Sequence, residues 1–142
     1  MTKHVLCAVD LSHGDSEKAL LKRAADLAGF YGASLSVVTV VPDYGMSIVG
    51  SYFKEGTMRQ AVEDANAQLH AFVDSALPGH GHVQHIVEVG TVYEQVLDAI
   101  KRSEADLVVM GAHKPDLVDR VQGPNSARVA RHADVSVLIV RD

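Results

Sequence analysis

The stretch Ser34–Val41, SLSVVTVV, gives the clearest indication of the fold class, because it is apolar almost without interruption. A strand with one face in water alternates apolar and polar residues, whereas a strand of a parallel sheet that is covered on both faces does not. Residues 135–140, VSVLIV, have the same character. We therefore expect both runs to be strands of a parallel sheet with helices on its two faces.

Strand and helix patterns alternate on either side of these runs. Further β-branched runs predict strands, so that the five predicted strands are His4–Val9, Ser34–Val41, Val83–Val89, Asp106–Met110 and Ser136–Val140. Apolar residues at helical spacing predict four helices, at Asp15–Tyr31, at Thr57–Ala76, around Tyr93–Ile100 and at Asn125–His132. This alternation predicts one α/β domain spanning residues 1–142.

The residues of the first and fourth helices predict which groups cap their ends and which side chains face inward. Ser12 is the expected N-cap of the first helix, and Asp15 and Glu17 suit the positive end of its dipole. In the same helix, the expected inward residues are Leu20, Ala24, Leu27 and Tyr31. Val129 and Ala130 are the expected inward residues of the fourth helix, and His132 complements its negative end.

Composition narrows the class of protein. Of 142 residues, 47% are hydrophobic and 22% are charged, which is typical of a folded chain and too apolar for a disordered one. The formal charge of -5 and the absence of a basic block argue against binding to nucleic acid. Cys7 is the only cysteine, and neither a signal peptide nor a long apolar run is recognisable, so we expect a cytoplasmic protein without membrane insertion.

The predicted sheet order locates a binding site. Right-handed crossovers favour the doubly wound order 3-2-1-4-5, in which ligands bind beyond the carboxyl ends of strands 1 and 4. Asp10–Gly14 and Gly111–Ser126 follow these two strands. Glycines and a helix N-terminus suit a phosphate group, although the glycines could equally shape a turn only. Lys114, Arg120 and Arg128 are cations nearby in sequence, and no Walker A motif is present.

The chain resembles the ATP-binding branch of the universal stress protein family. The residues that carry the resemblance are Ala8-Val9-Asp10, Thr39-Val40-Val41, Val109-Met110-Gly111-Ala112-His113, Gly123-Pro124-Asn125-Ser126 and Val137-Leu138-Ile139-Val140. The family nucleotide motif is written G-x2-G-x9-G-[ST]. Here Lys114 occupies the second glycine position, the spacing to Gly123 is one residue shorter, and Pro124 replaces Ser/Thr.

The resemblance implies an ATP site with Mg²⁺ and assigns residues to its parts. Ala8, Val9 and Asp10 would line the pocket, with Asp10 near the ribose or a phosphate-bound cation, and Val40 would present its backbone to adenine. Met110, Gly111 and His113 would border the ribose and phosphates. The residues that would cradle the phosphates are Gly123, Pro124, Asn125 and Ser126, with Lys114 beside them. Asp10 could also serve as an N-cap, and Val40 could simply be a core valine.

The same resemblance bears on activity and partners. It favours a nucleotide-dependent regulatory module with slow or absent hydrolysis; a slow ATPase and a nucleotide-free dimeric scaffold stay open. An apolar edge formed by Val137, Leu138, Ile139 and Val140 predicts a homodimer, or a tetramer built from dimers. A transporter or another protein is a candidate partner. Asp43–Gly56, rich in glycine and aromatic residues, could be a lid or a subunit contact.

Other site classes fit the residues less well. His80, His82 and His85 form the only histidine cluster in the sequence, but they lack Cys or acidic partners in their segment and are expected to be solvated. A response-regulator receiver would need an Asp after strand 3, where Val89-Gly90 stands instead. A flavodoxin-like carrier would need a phosphate loop after strand 1 and aromatic residues around a flavin.

Overall fold

The central sheet has five parallel strands in the order β3-β2-β1-β4-β5, which confirms the predicted topology. The computed structural model describes residues 2–42, 55–112 and 125–141. The strands are β1 (His4–Ala8), β2 (Ser34–Val41), β3 (Gln84–Val89), β4 (Leu107–Gly111) and β5 (Ser136–Val140). All five predicted strands are present, and their ends differ from the prediction by a residue at most.

In the part of the chain that the structure describes, four helices connect and cover the strands. They are α1 (Gly14–Tyr31), α2 (Glu55–Ala76), α3 (Val92–Ser103) and α4 (Asn125–His132), and a 3-10 turn (Leu11–His13) precedes α1. The helix α1 ends where Gly32 adopts φ 64°, a left-handed conformation that glycine accepts without a side-chain clash. None of the helices described in these ranges is long and apolar enough to cross a membrane.

Each face of the sheet has its own hydrophobic core. Val5 and Cys7 of β1 pack with Leu20, Leu21 and other residues on the side covered by α1 and α2. Leu6, between them in sequence, packs with residues of α3 and α4 on the other side. Successive side chains of a strand point to opposite faces, so this division is what a sheet covered on both faces requires.

The edge strand β5 departs from the prediction of burial on both faces. Its pattern from Ser136 to Val140 alternates, with only Val140 fully buried and Leu138 37% exposed. Among the described strands, β5 pairs with β4 alone. An uninterrupted apolar run is therefore compatible with two situations: a strand covered on both faces, or an edge strand that pairs on one side only and is partly exposed, as β5 is.

Three local predictions were wrong. Asp10 caps the 3-10 turn by accepting a hydrogen bond from the Ser12 backbone N–H, so Ser12 is not the N-cap of α1. His13 occupies the residue before α1 and its side chain makes no capping hydrogen bond. Tyr31 lies at the exposed end of α1, and Ala130 faces solvent, whereas Val129 is buried as predicted.

The histidines near β3 are more ordered than a solvated cluster. The rings of His70 on α2 and His85 on β3 are stacked, with centroids 3.7 Å apart and planes 10° apart. His80 donates from Nδ1 to the Gly81 carbonyl and from Nε2 to Asp74, at 2.6 Å and 3.0 Å. Because both partners are acceptors, both His80 nitrogens carry protons. The hydrogen bond to the Gly81 carbonyl has the largest effect in raising the pKa of His80, and the bond to Asp74 raises it further.

We expect the His85 side chain to make folding less favourable as the pH falls. Burial lowers the pKa of His85, and the neighbouring His70 and His80 lower it further, while Asp74 and the Val83 carbonyl act in the opposite direction. The unfolded chain therefore binds this proton more tightly, so stability is lost as the pH drops below about 6.5, the ordinary histidine pKa.

Urea unfolding of the wild type and of His85→Phe between pH 7.5 and 5.0 isolates this effect, because phenylalanine keeps an aromatic ring against His70 and cannot titrate. The wild type should lose stability relative to His85→Phe as the pH falls. His82→Phe, at an exposed residue, is the control and should follow the wild type. Parallel curves for wild type and His85→Phe would contradict the expectation.

Candidate functional site

The chain leaving β1 is held in place by backbone and side-chain hydrogen bonds. The Val9 backbone N–H donates to the Val38 carbonyl at 2.9 Å, and the buried Thr39 hydroxyl donates to the Val9 carbonyl at 3.0 Å. These bonds continue the pairing of β1 with β2 beyond the last strand residue. As a result, Asp10 leaves the sheet at a fixed position, at the end of the sheet where parallel α/β folds bind ligands.

Asp10 itself sits in a compact polar turn. Its Oδ1 accepts hydrogen bonds from the Ser12 backbone N–H at 3.0 Å and from the Ser12 hydroxyl at 2.6 Å, and its Oδ2 lies 3.0 Å from His13 Nδ1. Burial alone would raise the pKa of the Asp10 carboxyl, but the bonds from Ser12 and the nearby His13 together hold that pKa below its usual value. The Asp10 carboxylate is therefore ionised at neutral pH and partly exposed.

Asp10, Ser12 and His13 do not form a nucleophilic relay. In such a relay the hydroxyl and the carboxylate bind opposite nitrogens of the imidazole. Here the Ser12 hydroxyl lies 3.1 Å from Nδ1 of His13, the same nitrogen that faces Asp10. The trio fixes the turn and offers a carboxylate acceptor, and its geometry does not activate Ser12.

Glu17, on the first turns of α1, lies underneath this turn. Its side chain is 3% exposed, and its Oε1 accepts a hydrogen bond of 2.6 Å from the Asp10 backbone N–H. Its Oε2 would lie 3.6 Å from a Cβ atom placed on Gly111 at the end of β4. One carboxylate thus contacts the end of β1 and approaches the end of β4, the two strands that flank the switch point.

The remaining described candidates divide between the two faces of the sheet. Met110 is 6% exposed and packs in the core beneath α3 and α4, where Ala8 and Val40 are partly buried neighbours. Val9 is buried in the core on the α1 side. The side chains of Val9 and Met110 are thus buried in the core and do not line a surface site.

The fourth helix begins directly at two of the predicted phosphate-binding residues. Asn125 is the first residue of α4 and is partly buried, and Ser126 is 3% exposed. The first turn of this helix contains no acidic residue, so nothing there opposes an anion at its positive end. Arg128 is committed elsewhere, since its guanidinium carbon lies 3.7 Å from the centroid of the Tyr93 ring.

Four of the predicted site residues lie outside the residues that the structure describes: His113, Lys114, Gly123 and Pro124. Most of the Asp43–Gly56 segment also lies outside them. Within the described ranges, no group of three His, Cys, Asp or Glu side chains is arranged to hold a metal ion.

Comparison with known proteins gives the family. A model of the universal stress protein family matches residues 1–141. The chain belongs to the universal stress protein family. Universal stress protein A of Escherichia coli strain K12 is 28% identical over 142 residues, which cover 99% of this chain and 96% of that protein.

Solved structures of universal stress proteins share the fold. One, a universal stress protein in complex with cAMP, has a TM-score of 0.64 at 22% identity, with 98% of this chain and 97% of that one covered. Another, from Archaeoglobus fulgidus in complex with dAMP, has a TM-score of 0.62 at 19% identity and covers 96% of each chain. At these identities the similarity establishes the fold.

Sequence reasoning missed two buried polar residues that hold the turn after β1, Glu17 and Thr39. The sequence assigns Glu17 to the helix dipole and Thr39 to a strand segment shared with the family, and it predicts neither of their hydrogen bonds. The signal for Glu17 was its spacing, because it precedes Leu20, Leu21 and Ala24 by three, four and seven residues on the inward face of α1. A carboxylate on an apolar face is costly to bury and indicates a specific partner.

Proposed function

We propose that this universal stress protein binds ATP with Mg²⁺ at the carboxyl ends of β1 and β4 and acts as a nucleotide-dependent regulatory module. The observation that carries the proposal is the fixed turn after β1. There an ionised, partly exposed Asp10 carboxylate is held by Ser12 and His13 at the switch point of the sheet. Asp10 would accept hydrogen bonds from the nucleoside or bind the cation, and the first turn of α4 would meet the phosphates.

The relatives support an adenine nucleotide. Two universal stress proteins of the same fold have been solved in complex with cAMP and with dAMP. Both ligands contain adenine and a phosphate, which matches the pairing of a carboxylate acceptor at one end of the site with a helix N-terminus at the other. ATP rather than a monophosphate is our choice because the glycine-containing segment between β4 and α4 resembles the nucleotide motif of the ATP-binding branch of the family.

Magnesium fits this site only together with the nucleotide. Mg²⁺ is commonly held by one or two carboxylates and by phosphate oxygens of the ligand. Asp10 supplies one carboxylate, and no complete metal cluster exists in the described ranges. When bound, the ion would supply charge neutralisation for the phosphates, and the residues of the chain would fix the position of the nucleotide.

We propose that hydrolysis is slow or absent. Phosphoryl transfer needs a positioned nucleophile and cations aimed at the transferred group. Among the candidates within the described residues, Ser12 is engaged with Asp10 and Arg128 is stacked on Tyr93, so neither is aimed at a transferred phosphoryl group. Heating the purified protein, identifying any released ligand by mass, and following phosphate release from added ATP test both parts. A released adenine nucleotide with little phosphate release is expected; rapid turnover would make the protein an ATPase.

The exposed edge strand supports a homodimer, which can pair two β5 strands about a two-fold axis. Leu138 is 37% exposed on this edge, and Val137 and Ile139 are partly buried. Leu138→Lys should therefore shift the sedimenting species toward the monomer, since two ammonium groups would meet across the axis. Phe30→Lys, at a residue 81% exposed on α1, is the control and should leave the mass unchanged. A Leu138→Lys protein with the wild-type mass would rule out this interface.

Regulation would follow if ATP favours one arrangement of the chain over another. A ligand shifts such an equilibrium only through different affinities for the two arrangements. A transporter or other protein would then recognise the ATP-bound arrangement.

A cytoplasmic location remains part of the proposal, and Cys7 is compatible with it because burial, together with the charge of Glu17, raises the pKa of its thiol and keeps it unreactive.

A further inference from the structure

We propose that Glu17 is a positioning residue of the nucleotide site, which acts by holding the Asp10 backbone in place as a hydrogen-bond acceptor. The inference rests on the proposed binding of a nucleotide at the end of β1. Glu17 is 3% exposed and so does not itself reach a ligand at the surface. Its effect on the ligand passes through Asp10, whose carboxylate is the exposed group of the turn.

The position of the Glu17 side chain explains how the backbone at Asp10 is held. Beyond β1, the chain no longer has the ladder of the sheet to bind each N–H group. The Thr39 hydroxyl donates to the Val9 carbonyl, and the Asp10 N–H of the same peptide group donates to Glu17 Oε1 at 2.6 Å. Both polar atoms of the peptide group that joins Val9 to Asp10 are therefore fixed by buried side chains from two different elements, β2 and α1.

The cost of burial argues that the carboxylate has a role at the site. A charged group in the interior loses its hydration, and a methionine or leucine would fill the same face of α1 without that loss. The charge of Glu17 also acts on its surroundings, because it contributes to the raised pKa of the buried Cys7 thiol. Glu17 is placed where both β1 and β4 end, and no other buried carboxylate occurs among the described residues.

Three substitutions separate acceptor placement from charge. Glu17→Gln keeps the length and an acceptor oxygen but removes the charge. Glu17→Asp keeps the charge but withdraws the oxygen by one methylene, and Glu17→Met keeps only the length. If placement is what matters, Glu17→Gln should bind ATP within about threefold of wild type, while Glu17→Asp and Glu17→Met weaken binding by about tenfold, because a buried amide loses its partner.

Thr39→Val provides a second, independent variant with nearly unchanged volume. It removes the bond to the Val9 carbonyl and should also weaken ATP binding, even if one of the Glu17 variants fails to fold. Glu63→Met, at an exposed residue of α2, is the control and should bind as wild type. Binding is measured by calorimetry on folded protein, with thermal unfolding recorded for each variant.

The Asp10 amide gives a readout that does not depend on nucleotide. In wild type and Glu17→Gln its hydrogen exchange should be slow, and in Glu17→Asp and Glu17→Met it should be fast. Wild-type affinity in Glu17→Met, or an affinity that follows charge so that Glu17→Asp binds and Glu17→Gln does not, would overturn the inference. A wild-type protein that binds no adenine nucleotide would instead refute the proposed function, while the exchange of the Asp10 amide would still report on the Glu17 contact.

Discussion

Asn125→Asp is expected to weaken ATP binding by roughly tenfold or more while leaving the folded protein at least as stable. Asn125 is the first residue of α4, and the first turn of this helix carries no acidic side chain. The substitution keeps the size of the side chain and adds one negative charge where we place the phosphates. Repulsion of about 1.4 kcal/mol corresponds to that tenfold loss.

The free energy of unfolding of Asn125→Asp should be equal to or greater than that of the wild type. A carboxylate near a helix N-terminus stabilises the helix by about 0.3 to 1 kcal/mol. Gln68→Glu adds the same charge at an exposed residue of α2 and should change neither property appreciably. Calorimetric titration with ATP and Mg²⁺, together with urea unfolding, measures both. An Asn125→Asp protein that binds ATP as tightly as wild type would place the phosphates away from the start of α4.

Leu6→Ala should lower the free energy of unfolding by about 3 kcal/mol. Leu6 lies on the central strand β1, is 0% exposed, and packs against Val38 and Val108 in the core beneath α3 and α4. Truncation removes buried methyl groups and leaves a cavity that a central strand can close only in part. The expected loss is a large fraction of the stability of a domain of this size.

Phe30→Ala is the matched control for that substitution. Phe30 is 81% exposed, so removing its larger side chain should change the free energy of unfolding by no more than about 0.5 kcal/mol. Urea denaturation of wild type and both variants gives the comparison. Equal, small losses for the two variants would contradict the assignment of Leu6 to the core.

The fold was predictable because its signals are local and repeated. The apolar run of β2 and the helical spacing in α1 and α2 each indicate an element within a short window, and right-handed crossovers then leave few sheet orders. The error in the strand predictions concerns position in the sheet. Leu138 belongs to an apolar run as continuous as that of β2, yet it is partly exposed, since β5 lies at the edge.

The sequence places candidate site residues where they follow strands or begin a helix. Asp10 and Gly111 lie at one edge of the sheet because the carboxyl ends of β1 and β4 meet at the switch point, and their role in ligand binding stays a prediction. Glu17 and Thr39 were missed because their partners are fixed by packing, with the Thr39 hydroxyl binding a carbonyl 30 residues away in the chain. The stacking of His70 on His85 has the same origin, since the two rings belong to α2 and β3.

The measurement that tests the proposed function most directly is calorimetric titration of ligand-free protein with ATP and Mg²⁺. The protein is unfolded, freed of any bound nucleotide and refolded before the titration. We predict saturable binding of one ATP per chain, which is unchanged in the Glu63→Met control and weakened in Asn125→Asp. Refolded protein with native circular dichroism that gives no heat with ATP and Mg²⁺ would contradict the account and leave the nucleotide-free scaffold as the better description.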